Sequence, residues 1–374
     1  MLSYEKKHLR NAWCLLSALR EDLENVSLSV ELQEHCIGRI KEAEAKVRFH
    51  KGQAKNMPSR KDASMKKVEL YQYYIFIYKC FGDAIAFLNY DRFSLKQFYF
   101  DVDGPNPKQS GGFISGKKGF NLEWTSLVTL SERNIGSLLC DITNIIRFGD
   151  ICVLGLEEPA VIEIKTSKTK DRRGARQRQK LKKLAEFMDT DVSDQLRGGA
   201  RTERREAPST IPPVGEVFDK TADEAREKGF AFTQASKGIF LACIYENGLL
   251  ERLNEIPVEK PLVSDLNRLK NAKDWAPMYP FTLQFRSFDN LWDFIIGKII
   301  LVSFVDFAAI QEAFAMYGYR AEYRPDEAMP LDLYYGPATQ PTQVGHIFQR
   351  LFYELLPIEW LVQTTTHIIQ FSKE

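Results

Sequence analysis

The chain has 374 residues, 51 Lys+Arg against 50 Asp+Glu, a formal net charge of +1, and 44% apolar and 27% charged side chains. It is long enough for two or three packed domains and too apolar for a disordered polyelectrolyte. It is also too nearly neutral to be a general polycation, so attraction to nucleic acid must come from charge placed unevenly along it.

From Tyr4 to about Lys51, apolar residues such as Leu9, Trp13, Leu16 and Leu19 recur at helical spacing. A polar break from Gly52 to Ser64, containing Pro58, precedes a second helical run from Met65 to about Asn89. This run is crowded with aromatic residues, which are expected to pack and not to stack on bases. Residues 1–100 therefore read as a helical N-terminal region. Asp103 to Gly119 is rich in Gly and Pro and reads as a loop, and Asn121 to Ile146 returns to a mixed pattern. Two strand-like runs, Asp150 to Leu154 and Ala160 to Lys165, flank a Gly-Leu-Glu-Glu-Pro turn that suits a hairpin. A basic helix follows over about Arg172 to Met188, and then Asp189 to Gly215 loses nearly all its apolar residues, as an exposed linker or insertion does.

Ala231 to Tyr245 contains a run of buried-strand length, expected to return to the central sheet. Residues 246–374 read as a mixed helical region. Within it the most apolar stretch, Trp292 to Tyr317, is interrupted by Asp293, Lys298, Asp306 and Glu312 and predicts a buried helix, with no membrane contact. The six cysteines (Cys14, Cys36, Cys80, Cys140, Cys152, Cys243) form no Cys-x-x-Cys pair and have no histidine at zinc-ligand spacing. Reduced thiols and a start lacking a signal-peptide apolar run predict a cytoplasmic protein.

In Ala160-Val161-Ile162-Glu163-Ile164-Lys165, strand alternation puts Glu163 and Lys165 on one face with Val161, and Ile162 and Ile164 on the other. Such a strand reads as internal, with a carboxylate and an ammonium held near a core where charges need a strong reason to be. Pairing through the 155–159 turn would bring Asp150 close to Glu163. Two close carboxylates repel unless a cation lies between them, and an all-oxygen set favours Mg2+ or Mn2+. A divalent ion there suits phosphodiester hydrolysis, with Lys165 orienting water and stabilising the transition state. A lone Glu-x-Lys is ordinarily a solvated face; here the preceding Gly-Asp strand and the basic helix after it favour a site.

Asp150, twelve intervening residues, then Glu163-Ile164-Lys165 resembles the PD-(D/E)xK nuclease superfamily, with Gly149 in place of the proline. The resemblance implies an α/β (mixed α+β) fold with a restriction-endonuclease-like αβββαβ core over residues 101–245. It also implies a metal held by Asp150, Glu163 and Ile164, and an upstream acid on the first helix. Glu123 is favoured for that acid over Glu132 and Asp141. On the following helix Gln177, Leu181, Leu184 and Met188 share one face, so Gln177 is expected to point inward as a fifth catalytic residue. The resemblance to RecB-like enzymes is incomplete, because Leu181 stands where their tyrosine would be.

Residues 165–205 hold 14 basic against six acidic side chains, a local excess of +8 that favours a nucleic-acid substrate. Lys168, Arg173, Arg176 and Lys180 are candidate phosphate contacts, as are Lys117 and Lys118 in the glycine-rich loop. That loop, Gly111 to Lys118, is not a nucleotide-binding P-loop, since Lys118 replaces the hydroxyl residue that would bind Mg2+. The expected activity is Mg2+- or Mn2+-dependent endonucleolytic cleavage of DNA, in bacterial defence or a mobile element. The helical flanks are assigned to substrate selection, control or contact with a partner or second copy. A non-cleaving nucleic-acid-binding protein is the alternative.

Overall fold

The computed structural model describes residues 2–165, 172–199, 201–205, 215–246, 250–271, 273–325, 327 and 329–371. The fold is mixed α/β, with helices and several small antiparallel sheets. It divides into two compact units, Met1–Arg204 with Asn271–Thr282, and Arg205–Lys270 with Leu283–Glu374. No helix among the described residues is long and apolar enough to cross a membrane.

The first unit begins with three long helices, α1 (Leu2–Glu21), α2 (Val26–Asn56) and α3 (Lys61–Asn89). Asn25 caps α2 by accepting from the Leu28 amide. The apolar spacing read in α1 becomes a buried stripe of Leu9, Leu16 and Leu19, which joins Leu32, Ile40 and Val47 of α2 and Val68, Ile77, Phe81 and Ile85 of α3. Of the aromatic run, Tyr74, Phe76, Tyr78 and Phe81 are buried, so those rings pack. Inside this bundle Glu5 accepts from Arg39 at 2.8 Å and from the Tyr78 hydroxyl at 3.1 Å, which satisfies a charge that burial would otherwise penalise.

After α4 (Arg92–Leu95) and the glycine-rich loop come α5 (Phe120–Ser131), β1 (Ser137–Leu139), β2 (Ile151–Val153), β3 (Ala160–Ile162) and α6 (Arg172–Thr190), then the short hairpin β4 (Val192–Ser193) and β5 (Thr202–Glu203). The sheet runs β1-β2-β3, antiparallel throughout, with Ile151 opposite Ile162. The helical region grips this sheet directly. Gln33 of α2 donates to the Ser137 carbonyl at 2.8 Å and accepts the Leu139 amide at 2.9 Å, and the Tyr90 hydroxyl donates to the Val153 carbonyl. The two Gln33 bonds satisfy backbone groups along β1 that a bare edge would leave open.

In the second unit α7 (Gly215–Lys228) packs on a four-stranded antiparallel sheet, β6-β7-β9-β8, made of β6 (Phe230–Ser236), β7 (Ile239–Tyr245), β8 (Pro261–Asp265) and β9 (Ile299–Asp306). Phe230, Phe240, Ala242, Ile244, Ile256, Val302 and Phe304 form its core. The short α8 (Phe281–Gln284) spans one chain crossing between the units. α9 (Phe288–Ile296), α10 (Phe307–Ala315), a second sheet of β10 (Tyr319–Tyr323), β11 (Leu331–Tyr335) and β12 (Thr342–Val344), and α11 (His346–Tyr353) with α12 (Ile358–Phe371) complete it.

Four expectations are corrected. The stretch 231–245 does not rejoin the β1-β2-β3 sheet but pairs as β6 and β7 with β9, within the second compact unit. The segment 292–317 is not one helix: Gly297, at φ 77°, ends α9, and the β-branched run Ile299-Ile300-Leu301-Val302 forms a central strand. Third, β3 lies at an edge of its sheet among the described residues, with Ile162 40% exposed, and Glu163 to Lys165 continue past its end. The linker expected at 189–215 begins instead with the β4-β5 hairpin, and its residues 206–214 lie outside the described ones. Five cysteines are buried, Cys14 is exposed, and all six are free thiols.

Candidate active site

Six segments of the first unit converge on one half-enclosed cavity of about 940 Å³. Its lining includes Lys117 from the loop, Glu123 from α5, Asp141 from the 3-10 turn after β1, Asp150 at the start of β2, Glu163 to Lys165 after β3, and Gln177 on α6. Its size falls near the top of the roughly 300–1,000 Å³ usual for ligand sites.

Local chemistry explains each placement. Gly149 adopts φ +71°, and a Cβ there would meet Val161 at 2.8 Å. Proline, fixed near −65°, cannot take this conformation, which is why glycine stands before the aspartate. The β2-β3 hairpin then brings Asp150 against the end of β3: the Asp150 amide donates to the Ile162 carbonyl, and the Ile164 amide donates to Asp150 Oδ2, both at 2.8 Å. Asp141 rides on a turn pressed against α3, where Gly82 leaves no room for a Cβ beside the Ile142 carbonyl. The loop is anchored by Glu44, which accepts from the Ile114 and Ser115 amides at 2.8 Å each and from the Ser115 hydroxyl.

That anchoring delivers Lys117 into the cavity, where its Nζ donates to Asp141 Oδ2 at 2.7 Å, Glu123 Oε2 at 2.9 Å and Asp150 Oδ1 at 3.2 Å. Burial alone would depress this ammonium, but Asp141, Glu123 and Asp150 outweigh it and hold its pKa above the ordinary lysine range. Glu123, itself buried, is shifted upward, first by burial and then by Asp150 and Asp141, with Lys117 opposing. Three carboxylates around one ammonium leave a formal net charge of −2 when all are ionised.

No family model, curated protein or solved structure matches this chain. The chemistry of the site is therefore carried by its own geometry.

Among the described residues no group of three or more His, Cys, Asp or Glu has metal-holding geometry. The acids surround an ammonium at hydrogen-bond distance, wider than the roughly 2.0–2.6 Å of a bond from oxygen to Mg2+ or Ca2+. The donor set nonetheless fits a hard divalent cation: three carboxylate oxygens from three elements already share one cation.

Of the residues singled out in the sequence, Glu123 and Asp150 meet in this cluster, and Asp141, weighed as the alternative to Glu123, joins them. Glu132 is exposed at the end of α5. Glu163 lines the same cavity but pairs with Lys165 at 3.6 Å. Ile164 contributes its amide to Asp150. Gln177 lines the cavity from an exposed position and is not an inward core residue; Leu184, Phe187 and Met188 carry the packing of α6.

The phosphate-contact assignments divide. Lys117 is committed to the carboxylates, and Lys180 to Asp101 at 2.8 Å and Asp103 at 2.9 Å, so neither is a free backbone clamp. Lys118 and Arg176 are exposed, whereas Lys168 and the Arg173 side chain lie outside the described residues.

Proposed function

We propose that the first unit is a metal-dependent phosphodiesterase acting on nucleic acid, with α5-β1-β2-β3-α6 as a restriction-endonuclease-like core. One observation carries this reading: Glu123, Asp141 and Asp150 converge on a single cation in a cavity that Glu163, Lys165 and Gln177 also line. The order of these elements and the β2-β3 pairing, which ends at Ile151 and Ile162 beside Asp150 and Glu163, support it.

In this reading Glu123, Asp141 and Asp150 hold Mg2+ or Mn2+, with Glu163 lining the same cavity. A divalent ion there supplies charge neutralisation on the phosphate and a more acidic water. Lys165, 41% exposed beside Glu163, orients the attacking water and donates to a phosphoryl oxygen as negative charge develops on it. Gln177 positions the strand from the α6 wall. Exposed Arg176 and Lys118 supply sequence-independent attraction to the backbone.

A second reading has its own support. Lys117 already neutralises part of the acidic cluster, as an internal cation would in a protein that binds nucleic acid without cutting it. Incubating the purified protein with end-labelled single- and double-stranded DNA and RNA, in Mg2+, Mn2+ or EDTA, separates the two. Cleavage in metal that EDTA abolishes supports the phosphodiesterase; binding without cleavage in any metal supports the alternative.

A further inference from the structure

Beside the carboxylates the same cavity is lined by Lys79 of α3, Lys108 and Arg147. Lys79 makes no hydrogen bond or ion pair with the described residues, although it sits in a helix segment whose neighbours Ile77, Tyr78, Cys80 and Phe81 are all buried. Burial holds its ammonium below the ordinary lysine range. Lys108 is depressed in the same direction, also chiefly by burial. Its Nζ donates to the Arg147 carbonyl and lies 4.0 Å from the Phe148 ring centroid, so two of its three N–H groups stay open.

The acids within electrostatic range of Lys79 are each committed elsewhere. Asp83 accepts from the Asn144 amide and side chain at 2.7 Å each and from the Ile145 amide at 3.0 Å. Glu44 is held by the Ile114 and Ser115 amides, and Asp141 by Lys117. A half-buried ammonium without an ion pair, facing a cavity, is a place for an anion. Lys108 donates to the Arg147 carbonyl and Lys79 lies within electrostatic range of Arg147, so both border one part of the cavity, and their complement is a compact, multiply charged oxyanion.

We propose that Lys79 and Lys108 form a subsite for a terminal phosphomonoester, so that the cavity receives the end of a nucleic-acid strand. A terminal phosphomonoester carries close to two negative charges at neutral pH and a backbone diester one, so a chain end is the better match for two ammonium groups. The strand-end selectivity rests on the nucleic-acid reading above, and it replaces the endonucleolytic action expected from the sequence.

The test is binding in EDTA, where no cleavage occurs, so that failure of the subsite and failure of the nuclease are separately visible. Fluorescence anisotropy at fixed ionic strength would compare one labelled oligonucleotide sequence bearing a 5′-phosphate, a 3′-phosphate or only hydroxyl ends. One phosphorylated form should bind at least about tenfold more tightly than the hydroxyl form, the effect of one charge-assisted hydrogen bond. Lys79→Met and Lys108→Met should each erase most of that preference while leaving hydroxyl-ended binding unchanged. Inorganic phosphate should compete only at much higher concentration than the strand. Equal competition by inorganic phosphate or a nucleoside monophosphate would overturn the strand-end assignment.

Equal binding of all three oligonucleotides by the wild-type protein, or an undiminished preference in both variants, would overturn the subsite. Lys79→Met removes a half-buried, unpaired charge and should unfold at a temperature no lower than wild type. A lower midpoint would assign Lys79 to the fold, and the Lys108→Met result then decides.

Discussion

Replacing Lys117 by methionine should make the acidic cluster a better divalent-cation site. In the wild-type protein a metal has to displace an ammonium held by Asp141, Glu123 and Asp150 at 2.7, 2.9 and 3.2 Å. The lysine side chain is 31% exposed, so its contacts are partly screened and are worth about 0.7–1 kcal/mol each. Together they impose about 2–3 kcal/mol on metal entry, so the variant should bind Mn2+ roughly 30- to 140-fold more tightly. Isothermal titration with Mn2+ reads this directly. The same substitution leaves three close carboxylates without a counter-charge, so the metal-free variant should melt below wild type and recover when Mn2+ is added. A variant that binds Mn2+ no better than wild type, and that metal does not rescue, would show that Lys117 belongs to a structural ion-pair network and that the acids hold no metal.

Two further outcomes test the scaffold. Burial raises the Asp83 carboxyl to about 6 despite its three hydrogen bonds. The folded state therefore binds that proton more tightly than the unfolded chain, and the contribution to stability falls by about 3 kcal/mol as pH rises from about 4 to about 6. Urea unfolding should show Asp83→Asn gaining on wild type between pH 4.5 and 7, whereas parallel curves would contradict the assignment. Gly149→Ala forces a side chain into φ +71° against Val161. It should cost about 2–3 kcal/mol, which lowers the melting temperature of a unit of this size by about 5–10 °C; an unchanged midpoint would refute that strain.

The legibility of the fold differed with the physics of each segment. Helical spacing in α1 and α3 survived because long amphipathic stripes are set by local periodicity, and the β2-β3 hairpin because its turn is local too, although β3 ends at Ile162 and the alternation expected through Lys165 does not extend that far. Partner choice between strands was not legible: Ile239–Tyr245 suits any buried sheet, and only the tertiary fold pairs it with β9. The run 292–317 misled for a related reason, since uniform apolarity hides period, although Gly297 and the β-branched residues after it were the available signal.

At the site, Asp150 and Glu123 could be named from strand and helix starts. Lys117 was assigned to DNA because the commitment of a loop lysine depends on where Glu44, 73 residues away in sequence, anchors the loop. Lys79 left one trace that went unread, a single lysine within the apolar run Ile77 to Phe81.

The central claim is that the acids around Lys117 hold a catalytic divalent cation. Electron paramagnetic resonance of Mn2+ titrated into wild-type protein and Asp150→Asn, with cleavage of a labelled oligonucleotide followed in the same samples, tests it most directly. One Mn2+ per chain should bind to wild type with cleavage rising in parallel, and both should be lost in Asp150→Asn while the melting temperature holds. Undiminished Mn2+ binding and cleavage in Asp150→Asn, or a wild-type protein that binds no Mn2+ and cuts no strand, would contradict the account.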